Sequence, residues 1–195
     1  MHIHLNDPQF KITELSRFQF KNNFTNLFIN SFAETKKGEL ILGTTQGAAK
    51  YSPKQENIEV LEDTTNNNAF SKRITALVKN SNDEIFGGKS MHLARLNEST
   101  HRFEEYFKIP DSLNQYERDG YYDLLFDDNW LWMATENGLF KQNLIDKKVY
   151  AVIKNNQKYK GYNIYQIRSI DSDSDYVYAA TLGGGLVVIN KKPVI

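Results

Sequence analysis

A chain of 195 residues is long enough for one sizeable core or for several small units stacked in a row. Its 24 basic and 24 acidic side chains cancel, which removes any overall electrostatic pull toward nucleic acid or an anionic membrane. The absence of cysteine removes disulfides, thiolate metal sites and cysteine nucleophiles and leaves the redox compartment unassigned, while an aromatic share of 13% suits pleated, half-buried surfaces and directs attention to an all-β fold.

The opening MHIHLNDPQF has neither the basic start nor the apolar stretch of a secretory signal, and no run approaches the roughly 18 apolar residues of a membrane span. Met1 to Leu15 matches Met91 to Tyr106 instead, the third and fourth strands of a later unit, so residues 1–22 read as the end of a preceding blade. Residues 23–70 then supply four short strands, INSFAE, ELILGT, AAKYS and IEVLE. Residues 71–115 repeat the pattern with ITALVKN, EIFGGK, HLARLN and RFEEYF, and residues 116–160 with YYDLLF, LWMAT, GLFKQN and VYAVI. Residues 161–195 provide three strands, with KKPVI too short for a fourth. Turn residues at Lys36-Lys37-Gly38, Ser81-Asn82-Asp83 and Asp127-Asp128-Asn129 separate the first strands from the second, and Gln46-Gly47 and Asn137-Gly138 turn the second hairpins. The polar stretches 62–69, 110–120 and 154–163 fall at similar places and read as connections between units. No segment sustains a helical period.

Aligning the small residue that closes each second strand gives Gly43, Gly88, Ala134 and Ala180, spaced 45, 46 and 46 positions apart. Such a period is the signature of a repeat fold, and four short strands per repeat make a β-propeller blade. The expected fold is therefore an all-β partial propeller of about four antiparallel blades, the first and last incomplete. Two arrangements fit: an arc cut from a longer propeller, which is favoured, or a small ring closed by the N-terminal strands.

Tyr121 to Asn143, with weaker copies at Ile29 to Tyr51, Ile74 to Leu96 and Ile164 to Asn190, resembles the two-component-regulator propeller repeat. That repeat forms the periplasmic sensor region of hybrid histidine kinases of gut Bacteroidetes. The resemblance covers essentially the whole chain. It implies a periplasmic, non-catalytic sensor that recognises an oligosaccharide, with the kinase in a downstream part. It does not identify the ligand.

The repeated residues themselves are architectural. Ile41, Trp132 and Tyr178 share one register, where a large side chain packs between blades, and the small residues stand where strands crowd toward the propeller axis. GGKS at 87–90 lacks the earlier glycine of a phosphate loop and lies in a strand. DSDSD at 171–175 lacks the glycine and final glutamate of a calcium loop and reads as a turn. His2 and His4 share a strand face without a third ligand, and His92 and His101 lack nucleophile partners, so no catalytic residue, metal site or cofactor is nominated.

Loops leading into the first strand of each blade are where propellers place ligand contacts. Arg73, Arg118, Tyr121, Tyr122, Tyr162 and Tyr165 occupy them, and tyrosine faces with arginine forks suit sugar recognition. The leading expectation is a ligand-binding sensor propeller. The alternatives are a protein-interaction scaffold, through self-association or pairing with a remaining propeller half, and a propeller-type polysaccharide lyase.

Overall fold

A computed structural model describes residues 28–63, 73–89, 92–110, 112–113, 120–154 and 157–192. The proposed blade end at residues 1–22 and Arg118 lie outside them. The described residues contain strands and turns and no helix.

Blade I comprises β1 (Ile29–Glu34), β2 (Leu40–Thr44), β3 (Gly47–Ser52) and β4 (Asn57–Asp63). Blade II comprises β5 (Ala76–Lys79), β6 (Ile85–Lys89), β7 (His92–Asn97) and β8 (Arg102–Lys108), and blade III comprises β9 (Tyr121–Asp127), β10 (Trp130–Thr135), β11 (Gly138–Asn143) and β12 (Val149–Ile153). The connection after blade III holds a two-residue hairpin, β13 (Lys158–Tyr159) with β14 (Tyr162–Asn163), which the polar composition of 154–163 did not announce. Blade IV has the three expected strands, β15 (Ile167–Ser172), β16 (Tyr176–Thr181) and β17 (Gly185–Asn190). Each blade is an antiparallel meander. Blades I and II are also joined at their outer edges by a short parallel pairing, Glu62 with Arg102 and Asp63 with Phe103.

Alternation along the strands gives each blade two faces, and the three cores lie between blades. Ile41, Ala48 and Leu61 of blade I meet Ile74, Ile85, Ala94 and Phe103 of blade II. Phe86 and Leu93 of blade II meet Tyr121, Leu131, Met133 and Phe140 of blade III. Trp132, Ala134 and Leu139 of blade III meet Ile167, Ile170, Val177 and Ala179 of blade IV. The predicted shared register of Ile41 and Trp132 is thus an interblade position.

In blades I and II the small residue near the end of the second strand meets the start of the next blade. A Cβ on Gly43 would lie 2.9 Å from Ile74 Cγ2, and one on Gly88 would lie 2.6 Å from Tyr121 Cβ. The threonine that follows has a role beyond strand propensity. Thr44, Thr135 and Thr181 donate to the carbonyls of Gly47 (2.9 Å), Gly138 (2.9 Å) and Gly185 (2.8 Å), locking the turn into the third strand. Polar ties supplement the apolar seams. Asn30 Nδ2 donates to the Ile74 carbonyl at 2.9 Å, and Asp123 Oδ2 accepts from Ser169 Oγ at 2.8 Å and from the Ile170 N–H at 2.9 Å.

Replacing Gly88 with alanine forces the added methyl against the Cβ of Tyr121, which cannot swing aside without moving its backbone. Gly88→Ala is expected to lower stability by about 1–3 kcal/mol, read from the midpoint of denaturant unfolding. A change below about 0.5 kcal/mol, the usual range for uneventful surface substitutions, would show that the blades do not press together there.

Candidate functional site between blades III and IV

The described residues among those expected to bind ligand differ in burial and surroundings. Tyr121 is fully buried beneath Gly88, and burial pushes its hydroxyl pKa far up. Tyr165 packs against the core between blades III and IV. Tyr162 is exposed on the β13–β14 hairpin, and Arg73 is exposed before blade II. Tyr122 stands at a register shift near the start of β9, and Arg168 at the matching shift in β15. Such irregularities re-aim side chains, and here the Arg168 guanidinium stacks 3.9 Å from the Tyr122 ring centroid. The Tyr122 hydroxyl donates to Glu136 Oε2 at 3.4 Å. This cluster near the starts of β9 and β15 satisfies itself.

The acidic turn after β15 is likewise consumed by its own structure. Asp173 Oδ1 accepts the N–H groups of Asp175 and Tyr176, both at 2.8 Å, and its Oδ2 accepts the Tyr178 hydroxyl at 2.6 Å. The Tyr178 bond, followed by those backbone bonds, holds the Asp173 carboxyl below its usual range. Gly87, Gly88 and Lys89 are buried inside β6. His92 and His101 face Glu105 at 3.0 Å and Glu59 at 3.1 Å. Among the described residues no group of three or more His, Asp or Glu side chains is placed to hold a metal ion.

A different place has unmet chemistry. At the other end of β9 from Tyr122, blades III and IV leave a cleft of about 270 Å³. Its walls include Trp130 and Trp132 from β10, Lys141 from β11 and Ile189 from β17, with Asp128 and Asn129 at the rim. The floor is fixed by Lys191, whose Nζ lies 2.6 Å from Asp127 Oδ1 and also donates to the Asp173 carbonyl. Asp127 further accepts from Ser172 Oγ at 3.2 Å, so the first turn of blade III is clamped to blade IV. Lys141 Nζ sits 4.2 Å from the Trp130 ring centroid and 5.1 Å from that of Trp132. Trp130 in turn meets Tyr150 edge to face at 5.8 Å. Trp132 is almost wholly buried, and its indole N–H has no hydrogen-bond partner among the described residues.

Comparison of the blades shows what is unusual here. The same register of the third strand carries Lys50 in blade I and Arg95 in blade II, and in both a carboxylate just before the second strand answers it. Lys50 Nζ lies 3.7 Å from Glu39 and 3.0 Å from Glu59, and Arg95 lies 3.1 Å from Glu84. On the fourth strand, Glu59 pairs in register with Lys50 and Glu104 with Arg95. In blade III those carboxylate positions hold Trp130 and Tyr150. The consequences for the two lysines are opposite. Lys50 is raised above the ordinary lysine pKa, chiefly by its bond to Glu59, whereas burial lowers Lys141 below it.

Sequence reading missed Trp130 and Lys141, although the signal was present. Aligning the repeats for charge as well as for apolar residues shows a cation that keeps its place while both acidic partners become aromatic.

The two lysines have opposite consequences for stability. A raised pKa contributes stability that is complete below the unfolded value and lost as pH rises through the folded one. A lowered lysine pKa penalises the fold while the group is charged, a penalty that lifts as pH rises through the folded value. At pH 7 Lys50→Met is therefore expected to destabilise by about 0.5–1 kcal/mol, given the exposure of its partners. Lys141→Met is expected to leave the thermal midpoint unchanged or raise it. Equal losses in both variants would contradict the assignment.

No family model matches the chain, and no curated protein matches it in sequence. Its structure is similar to the extracellular domain assigned to the hybrid two-component system BT4673 of B. thetaiotaomicron, at 18% identity and a TM-score of 0.68 over 89% of this chain and 23% of that one. It is also similar to the extracellular domain assigned to BT3049 of the same organism, at 20% identity and a TM-score of 0.60 over 83% of this chain and 20% of that one. The computationally designed Ika4 protein matches at 12% identity and a TM-score of 0.58 over 92% of this chain and 99% of that one. The chain spans less than a quarter of the two sensor domains. Its architecture is that of a β-propeller, shared with the extracellular domains of two-component sensors.

Proposed function

We propose that this chain is a non-catalytic, ligand-binding propeller segment of a periplasmic two-component receptor, and that it recognises an oligosaccharide in the cleft between blades III and IV. The observation that supports this reading most directly is the half-buried Trp130 ring beside Lys141, at a register where blades I and II carry ion pairs. Aromatic faces bury the apolar side of a sugar ring, and Asp128 and Asn129 at the rim supply groups for its hydroxyls. The fold neighbours, which are extracellular sensor domains, point the same way. The enzymatic alternative has less support, because the tyrosines nominated from sequence are divided among the core, the start of β9 and the β13–β14 hairpin.

Titration of the protein with neutral and acidic oligosaccharides, followed by tryptophan fluorescence and calorimetry, tests the reading. Binding is expected, with Trp130→Ala weakening it about tenfold, the equivalent of roughly 1.4 kcal/mol, and Trp130→Phe retaining most of it. Binding that is indifferent to Trp130→Ala, or absent across the panel, would overturn the cleft as the sugar site.

A second reading, a scaffold that pairs with another copy of itself, has its own support. The outward face of blade IV exposes Tyr176, Leu182, Leu186 and Val188. Tyr178 and Leu186 occupy the register of Trp132 and Leu139, which blade III uses to pack on blade IV. Ile29 and Phe32 of blade I, at the register of Ile167 and Ile170, are exposed as well. The two faces are the two halves of a seam the molecule makes internally, so the partner they fit is a second copy in head-to-tail contact. Sedimentation is expected to show concentration-dependent association that Leu186→Glu removes. A strictly monomeric profile would exclude it.

A further inference from the structure

We infer that the cleft between blades III and IV selects a sugar bearing an anionic oxygen group, a carboxylate or a sulfate, and that Lys141 is the residue that binds that group. This rests on the proposed sugar-binding role of the cleft and adds the charge of the ligand.

Where blades I and II place a cation at this register, Glu39 and Glu59 neutralise Lys50 and Glu84 neutralises Arg95. Blade III keeps the cation and removes both carboxylates, and among the described residues no hydrogen bond or ion pair joins Lys141 to another group. Two indole faces offer cation–π attraction, worth about 0.5–2 kcal/mol, but they also displace the water that would solvate an ammonium. The net result is unfavourable to the charge, as the lowered pKa of Lys141 indicates. A bound oxyanion would restore what Glu39 and Glu59 provide to Lys50, and would do so from the cleft.

The other charges there make this specific to Lys141. Lys191 is already committed to Asp127 and to the Asp173 carbonyl. Asp128 stands exposed at the rim beside Asn129 and is suited to accept from sugar hydroxyls, while repelling an anion placed against it. A ligand that fits all of these carries hydroxyls at one edge, an apolar ring face toward Trp130 and an anionic oxygen group at the Lys141 end. A small anion without a ring satisfies the lysine alone. A neutral sugar satisfies the ring and the rim alone.

The test compares matched ligands on the whole chain: trigalacturonate against a neutral galactose trimer, a sulfated galactose oligomer against the same neutral trimer, and sodium acetate as an anion without a ring. At least one acidic oligomer is expected to bind tenfold or more tightly than its neutral counterpart, and acetate to bind far more weakly than either. Raising salt from about 50 to about 500 mM is expected to erode the preference, because a partly open site is screened. Lys141→Met is expected to abolish the preference while leaving the melting profile intact, and Lys141→Arg to retain most of it. Whichever acidic oligomer binds more tightly identifies the anionic group. Equal affinity for acidic and neutral oligomers would overturn the inference while leaving the sugar reading in place. Binding of acetate as tight as that of the acidic oligomers would also overturn it, and binding of no oligosaccharide would overturn both. A preference that survives Lys141→Met would remove Lys141 from the role.

Discussion

The structure depends on one close approach, repeated at each seam: the end of a blade's second strand against the first residues of the next blade. Gly43 beneath Ile74 and Gly88 beneath Tyr121 leave no room for a Cβ. That contact sets how near the inner strands lie, and through the sheet it sets how the outer strands meet. Each blade alone is a meander of three or four strands that cannot bury both faces. Stacking turns those faces into three cores, so stability belongs to the seams.

Polar groups act on this scaffold at its edges. In blades I, III and IV the threonine after the small residue fastens the hairpin that leads outward, and Asp123 and Asp127 tie blade III to blade IV at separate points along the inner strand. Because Asp127 is engaged by both Ser172 and Lys191, the floor of the cleft is held by groups that are already satisfied. The lysine on its wall is therefore the one cation of the cleft left without a carboxylate among the described residues. Preorganisation of this kind favours binding, since the cleft need not assemble around the ligand.

Much of the fold was legible because it depends on period and alternation. The 45 to 46 residue spacing located all four blades, and the strands of blade III were placed within a residue or two of β9 to β12. The β13–β14 hairpin was not legible, since Lys, Tyr and Asn strings in a connection carry no alternation. Nor was the parallel edge pairing of Glu62 and Asp63 with β8, which depends on how far the blades splay. The site was harder to read for a different reason. Tyr121 looked like a ligand contact because it begins a first strand, yet the same position must fill the space above Gly88. Lys141 looked unremarkable because a lone lysine in a strand is common. Only its missing partners, two positions on neighbouring strands, distinguish it.

The contrast between Lys50 and Lys141 gives that difference a direction. At Lys50 the repeat uses its cation to hold the blade, with Glu39 and Glu59 drawn around it and His101 added from the neighbouring blade. At Lys141 the same backbone position contributes nothing by ion pairing and is penalised by burial. A sequence selected only for stability would replace it with methionine or restore the acids. Retaining the charge while surrounding it with tryptophan is the pattern of a site that gives up some folding free energy so that a ligand can supply the missing partner. In a seam this has a further effect. The groups that would hold the ligand belong to two blades, Lys141 and Trp130 on one side and Ile189 on the other. Occupancy would therefore strengthen the contact between those blades, which is the kind of coupling that a sensor built from stacked blades needs.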